Sequence, residues 1–111
     1  MRNQPAPPFA VFEALTRPDR DPTRPWLLLL DDETLPKVIE ARSPEFVVWS
    51  SIWVRRPDAR VRFELAAAHG GTDLTFILQI GDPAPDSSLT GHLRKRMNHL
   101  INANLRYSFG Q

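Results

Sequence analysis

Val61-Arg62-Phe63-Glu64-Leu65-Ala66-Ala67-Ala68-His69-Gly70-Gly71-Thr72-Asp73-Leu74-Thr75-Phe76-Ile77-Leu78-Gln79-Ile80 is the stretch that decides the architecture. Before the glycines, Val61, Phe63, Leu65 and Ala67 alternate with Arg60, Arg62 and Glu64. After them, Leu74, Phe76, Leu78 and Ile80 alternate with Asp73, Thr75 and Gln79. Period-2 patterning on both sides of a Gly-Gly turn predicts a β-hairpin that buries one face.

The C-terminal quarter of the chain can cover that face. Gly81-Asp82-Pro83-Ala84-Pro85 breaks the sheet, Asp86 or Ser87 can cap a helix, and Gly110 can end it. On a helical wheel, Leu89, Leu93, Met97, Leu100 and Ile101 share one stripe, opposite Arg94, Lys95, Asn98, His99, Asn102 and Arg106. Three hydrogen-bonding side chains fall on the apolar side: Thr90, Asn104 and Tyr107. Asn104 lies near its centre, between Leu93 and Met97.

Working back toward the N-terminus, Phe46 to Val54 is the most β-prone run, with both alternate faces apolar. Leu35 to Arg42 reads as a weaker strand near an edge, because Pro36 cannot donate to a ladder. Trp26 to Leu30 is too short for a helix between Pro25 and Asp31-Asp32, which predicts a buried strand. Phe9 to Thr16 reads as a short helix with Phe9, Phe12 or Val11, and Leu15 on one side, Pro8 in its first turn and Pro18 stopping it. The sum is an α+β domain with an antiparallel meander of about five strands, a short N-terminal helix and a long C-terminal helix.

Composition bounds the rest. A chain of 111 residues, 41% hydrophobic, reads as one domain spanning 1–111. Fourteen basic against 13 acidic residues leave a net charge of +1, too balanced to point to nucleic acid. The absence of cysteine removes disulfides, thiolate metal sites and thiol nucleophiles. No run approaches the roughly 20 apolar residues of a membrane span, and Met1 to Pro5 lacks a signal-peptide core, so a cytoplasmic protein is expected.

The order helix, curved meander, long covering helix is that of the helix-grip fold. Pro7-Pro8-Phe9-Ala10-Val11-Phe12-Glu13-Ala14-Leu15-Thr16-Arg17-Pro18 resembles the opening helix motif of the SRPBCC superfamily. That superfamily includes START-like lipid carriers, birch-pollen-allergen-like proteins, polyketide cyclases and chaperone activator domains. Val61 to Leu65 followed by Gly70-Gly71-Thr72-Asp73-Leu74-Thr75 resembles its late hairpin, and Leu93 to Leu105 sits where its pocket-covering helix would be. Two departures stand out. Only Met1 to Pro7 precede the opening helix, so the usual first strand is expected to be missing, and the chain is short between Trp26 and Leu35. A missing first strand strands the N–H and C=O groups of its neighbour, which a second chain or the N-terminal segment is then expected to cover.

The resemblance implies a cavity between sheet and long helix. The residues that would line it are Trp49, Phe63, Phe76, Met97 and Tyr107, with Thr90 and Asn104 orienting an apolar or amphipathic ligand. Apolar inward positions are core by default, so Phe63, Phe76 and Met97 equally suit simple filling. A buried Asn104 amide needs a partner, whether strand, water or ligand. His69, His92 and His99 are not spaced as a metal site. Asp31-Asp32-Glu33 reads as a solvated turn, and Arg94-Lys95-Arg96 with Arg106 as the wet side of the helix.

Catalysis has little support in the residues. The inward phases of the two best strands contain no Asp, Glu, His or Lys, and no serine has an evident base beside it. The favoured function is therefore binding of a hydrophobic small molecule or lipid, with no cofactor, no nucleic acid and no membrane span. The alternatives are a polyketide cyclase/aromatase-like or hydrolase-like enzyme using the same cavity, and a chaperone-activator-like interaction module. A homodimer through an exposed sheet edge completes the expected partners.

Overall fold

A computed structural model describes residues 2–19, 25–80 and 87–109 of the chain. Its elements are β1 (Arg2–Gln4), α1 (Pro8–Thr16), β2 (Val38–Arg42), β3 (Phe46–Ser50), β4 (Arg60–Ala68), β5 (Gly71–Gln79) and α2 (Ser87–His99). The helix of α2 continues through a π-helical segment, Leu100–Leu105, into a last turn, Arg106–Ser108. The five strands form one antiparallel sheet in the order β1-β5-β4-β3-β2. The α+β helix-grip architecture expected from the sequence is present. The expected residues Asp86 and Gly110, the Gly81 to Pro85 break and the side chains of Ser87 and Leu89 lie outside the described residues.

The central hairpin forms as its alternation predicts. Phe63 pairs with Phe76, Leu65 with Leu74 and Val61 with Leu78, so these side chains share one face. The turn residues are His69 and Gly70, with φ of 53° and 77°. Two positive φ values in a two-residue loop are what a type I′ turn demands. Gly71 serves a different purpose: a Cβ there would collide with the Gln4 carbonyl oxygen.

That collision marks the first correction. The usual first strand is not missing; β1 is short and pairs Arg2 with Leu74 and Gln4 with Thr72. Side chains hold it where three ladder pairs alone would be weak. The Gln4 amide donates to the Ile101 carbonyl (3.0 Å), and the Arg106 guanidinium donates to the Asn3 carbonyl (2.7 Å). Asn3 donates in turn to the Ala68 carbonyl (2.9 Å), and the Thr72 hydroxyl donates to that of Ala6 (2.7 Å). The N-terminal segment therefore covers the start of β5, as one arm of the expectation required.

Other boundaries also move. Trp26 to Leu30 is not a strand: Trp26 is buried in the core while Leu28 and Leu30 are exposed. Instead the segment is fastened to α2. Arg96 donates from Nε and Nη2 to the two carboxylate oxygens of Glu33, each at 2.8 Å, and from Nη2 to the Leu28 carbonyl. The expected strand from Phe46 ends at Ser50, and pairing of Val47 with Phe63 and Trp49 with Val61 settles its inward face. Leu35 to Arg42 narrows to β2, an edge strand as Pro36 implied. In α1 the buried positions are Val11, Ala14 and Leu15, whereas Phe9 is exposed.

One core lies between sheet and helices. Val47, Trp49, Val61, Phe63 and Leu74 meet Val11 and Leu15 of α1 and Leu93, Met97, Leu100, Ile101 and Leu105 of the C-terminal helix. The straight-wheel placement of Asn104 does not survive the π segment. A π turn advances the chain by a smaller angle per residue than an α turn. Leu105 consequently rotates into the core, and Asn104 moves to a half-buried flank.

Candidate functional site

The residues named as ligand contacts divide into two groups. Trp49, Phe63 and Met97 are packed. The Trp49 indole donates to the Leu15 carbonyl at 2.8 Å, stacks on Trp26 at 5.9 Å, and meets Phe63 edge-on at 4.7 Å. Phe63 and Met97 are each 0% exposed. With the Trp49 N–H satisfied, this aromatic cluster is part of the packed core that the sheet shares with the helices. Tyr107, at 76% exposure, lies on the surface rather than in the interior. Thr90 and Asn104 are half-buried, and neither lines the two concavities that flank α2.

Phe76 is different. It sits with Leu74 and Leu78 on the floor of the larger of these, a half-open groove of about 560 Å3. The opposite wall is the flank of α2 and the π segment: Arg94, Lys95, Asn98 and Asn102. Positions 94 and 98 form an i, i+4 row on α2, and the Asn102–Asn98 hydrogen bond carries that row into the π segment. The hairpin brings the floor because alternation sends Leu74, Phe76 and Leu78 to one face. Floor and wall meet only because the helix crosses the sheet with its packed stripe one row over.

The wall is polar but incompletely satisfied. Asn102 donates to Asn98 Oδ1 at 2.6 Å, yet its own Oδ1 is buried without a partner. Among the described residues, Arg94 and Lys95 have no carboxylate partner. Among the described residues, the groove lining contains no carboxylate or imidazole.

A second, smaller concavity of about 250 Å3 opens on another flank of α2, between Leu30, Trp53, Leu93 and the side chains of Arg55, Arg56 and His92. Glu33 and Arg96 form its inner side, correcting the expectation that both are solvated: their side chains are only 2% and 14% exposed. Burial pushes the Glu33 carboxyl up, but hydrogen bonds from Arg96 and the Leu30 N–H, with the charges of Arg96 and His92, outweigh it. The carboxyl is held below its usual 4.5. The Glu33 hydrogen bond in turn raises Arg96 above its ordinary value. Nothing local could have announced this pair, which spans 63 positions. Asn98 and Asn102 were legible as a stripe; what they would face was not. Among the described residues no group of three or more His, Asp or Glu side chains is placed to hold a metal ion, and no helix is long and apolar enough to cross a membrane.

Comparison with solved structures identifies the fold. CalU16 from Micromonospora echinospora superposes with a TM-score of 0.73 at 16% identity, covering 98% of this chain and 73% of its own. This protein has the helix-grip fold. The Aha1 dimer from Colwellia psychrerythraea gives a TM-score of 0.62 at 13% identity over 92% of this chain and 87% of that one. Ara h 8.0201 gives 0.57 at 14% identity over 99% and 95%. No protein-family profile matches the sequence, and no curated protein matches it. Identities this low carry the fold alone, so within the helix-grip frame function rests on the site.

Proposed function

We propose that the protein binds an amphipathic small molecule along the groove between β5 and the C-terminal helix. One observation carries this reading: a groove of about 560 Å3 sets the apolar row Leu74, Phe76 and Leu78 against a cationic, amide-bearing wall. Its volume lies within the roughly 300–1,000 Å3 of small-molecule sites, which combine an apolar lining with a few polar groups. The ligand's apolar body would rest on Phe76. Its polar end would reach Arg94 and Lys95, and a donor on it would satisfy the stranded Asn102 oxygen. The described lining is apolar, amide and cationic, the make-up of a binding surface, and its described residues supply no carboxylate or imidazole for the proton transfers that the cyclase-like or hydrolase-like alternative calls for.

Fluorescence titration with anilinonaphthalene sulfonate, an anionic amphipathic dye, tests the reading. Binding should weaken about tenfold in Phe76→Ala, from lost apolar contact worth roughly 1.4 kcal/mol, and also in Lys95→Ala. Saturable binding that neither substitution alters would place the ligand elsewhere. A homodimer is best supported at the opposite edge, where Leu35, Val38 and Ile39 are exposed on and beside β2. One structural neighbour was itself solved as a dimer. Sedimentation of Ile39→Lys against the parent protein tests that contact: loss of a dimer supports it, and an unchanged mass removes it.

A further inference from the structure

The ladder on the outer side of β5 stops early. β5 runs from Gly71 to Gln79 and pairs with β4 along its whole length, from Ala68↔Gly71 to Arg60↔Gln79. β1 meets only Thr72, Asp73 and Leu74. The hairpin turn fixes which main-chain groups this leaves over. In a two-residue loop the closing pair, here Ala68 and Gly71, is hydrogen-bonded, and bonded pairs then alternate along the strands. Gly71, Asp73, Thr75 and Ile77 therefore direct their N–H and C=O groups to β4. Thr72, Leu74, Phe76 and Leu78 direct theirs outward. β1 takes up the first two. Among the described residues, no strand meets the four main-chain groups of Phe76 and Leu78.

We propose that this open half of β5 accepts an extended acidic peptide as a sixth strand, antiparallel to β5 and in line with β1. Edge strands with free donors and acceptors are the template for strand addition, in which main-chain bonds supply affinity and side-chain environment supplies selectivity. The selectivity here is electrostatic. Residues of the added strand opposite Phe76 and Leu78 would share their face and project into the groove, toward Arg94 and Lys95. Neither cation has a carboxylate partner among the described residues, so glutamate or aspartate at those alternate positions completes the wall. The intervening residues would lie beside Ile77, which is exposed on the outer face and suits a β-branched neighbour.

A second copy of the chain is the less suitable occupant. Pairing β5 with β5 about a two-fold axis leaves both C-terminal helices on one side of the joined sheet. The Arg94 and Lys95 flanks of the two copies would then face each other, cation to cation. The proposal goes beyond the small-molecule reading and does not depend on it, because it uses the strand edge rather than the apolar floor.

The test is amide hydrogen exchange by NMR on the whole chain, with an acetylated and amidated hexapeptide of alternating valine and glutamate. Protection of the Phe76 and Leu78 amides, at least about tenfold weaker with the lysine-for-glutamate peptide, is the expected result. The double variant Arg94→Glu, Lys95→Glu, both at exposed positions, should reverse that preference while its circular dichroism stays native. No binding, binding that leaves the two amides exchanging as before, or equal response to both peptides would overturn the proposal. Protection that rises with protein concentration in the absence of peptide would also overturn it, in favour of self-pairing. Dye titration of the parent protein against Phe76→Ala reports on the groove floor, which the strand edge does not use, so the two readings can fail separately.

Discussion

Phe63 and Phe76 stand opposite each other in the same ladder, on the same face of the same hairpin, yet they serve different regions. Phe63 is completely buried, edge-on to Trp49, in a region where Trp26, Trp49, Met97 and Leu105 leave no room. Phe76, one strand nearer the edge, is half-buried and floors an open groove. Alternation sends both rings inward with equal force. What separates them is the line along which the C-terminal helix crosses: its packed stripe joins the core that holds Phe63, and its polar flank borders the groove over Phe76. Facing inward and being covered are different properties, and only the second makes a core.

The largest expected effect lies on the filled side. Trp49→Ala removes two aromatic contacts and the donor to the Leu15 carbonyl, and should cost about 3–5 kcal/mol in denaturant melts. A cost below about 1 kcal/mol would mean the filled side is as yielding as the open one. At the junction between covered and uncovered halves of β5, Gly71→Ala forces a methyl group onto the Gln4 carbonyl. We expect a loss of about 2–3 kcal/mol, within the range for substitutions with a named steric mechanism, and faster amide exchange at Leu74 as β1 detaches. Unchanged exchange there would show that β1 is held by its side chains alone.

Glu33→Gln probes the clamp on the other flank of α2 and should cost about 2 kcal/mol at neutral pH, below the 3–5 typical when one partner of a fully buried pair is removed. Its pH dependence has a definite sign. The folded carboxyl lies below 4.5, so its stabilisation is fully present above that value. It is lost as pH falls through the lowered folded value. Urea midpoints across that acid range should fall more steeply for the parent than for the variant, and parallel curves would sink the assignment. The smallest change is expected on the open side: Phe76→Ala should cost only about 1 kcal/mol, because a ring already facing a groove leaves little new cavity. A loss matching that of Trp49→Ala would show the groove to be closed in solution.

Much of the fold was legible locally. The hairpin from Arg60 to Gln79, α1 with Pro8 at its start and Pro18 beyond its end, and the stripe Leu93, Met97, Leu100 and Ile101 all follow from spacing, from the fixed φ of proline and from the freedom of glycine. Where prediction failed, distant contacts were responsible. Arg2–Gln4 has no strand pattern and is a strand because Asn3, Gln4 and Arg106 tie it to the hairpin and the helix end. Trp26 to Leu30 has the pattern and is not a strand, because Arg96 and Glu33 hold it against α2 instead. Of the candidate ligand contacts, Phe76 alone borders the groove, and the wall residues Asn98 and Asn102 had been indistinguishable from ordinary solvated positions.

By itself the sequence determined periodicity and the places where it breaks: which side chains of each strand and helix share a face, and where the chain must turn. These depend on neighbours two to four residues apart, whose geometry the backbone dictates. Only the tertiary structure decided which of those faces is covered, how far β5 is paired, and what Arg94, Lys95 and Asn102 look upon. Those outcomes depend on how one element lies across another, and on a π-helical segment that shifts Asn104 off the face to which its spacing assigned it. A rotation of a fraction of a turn costs little energy, and it separates a packed interior from a place for a ligand.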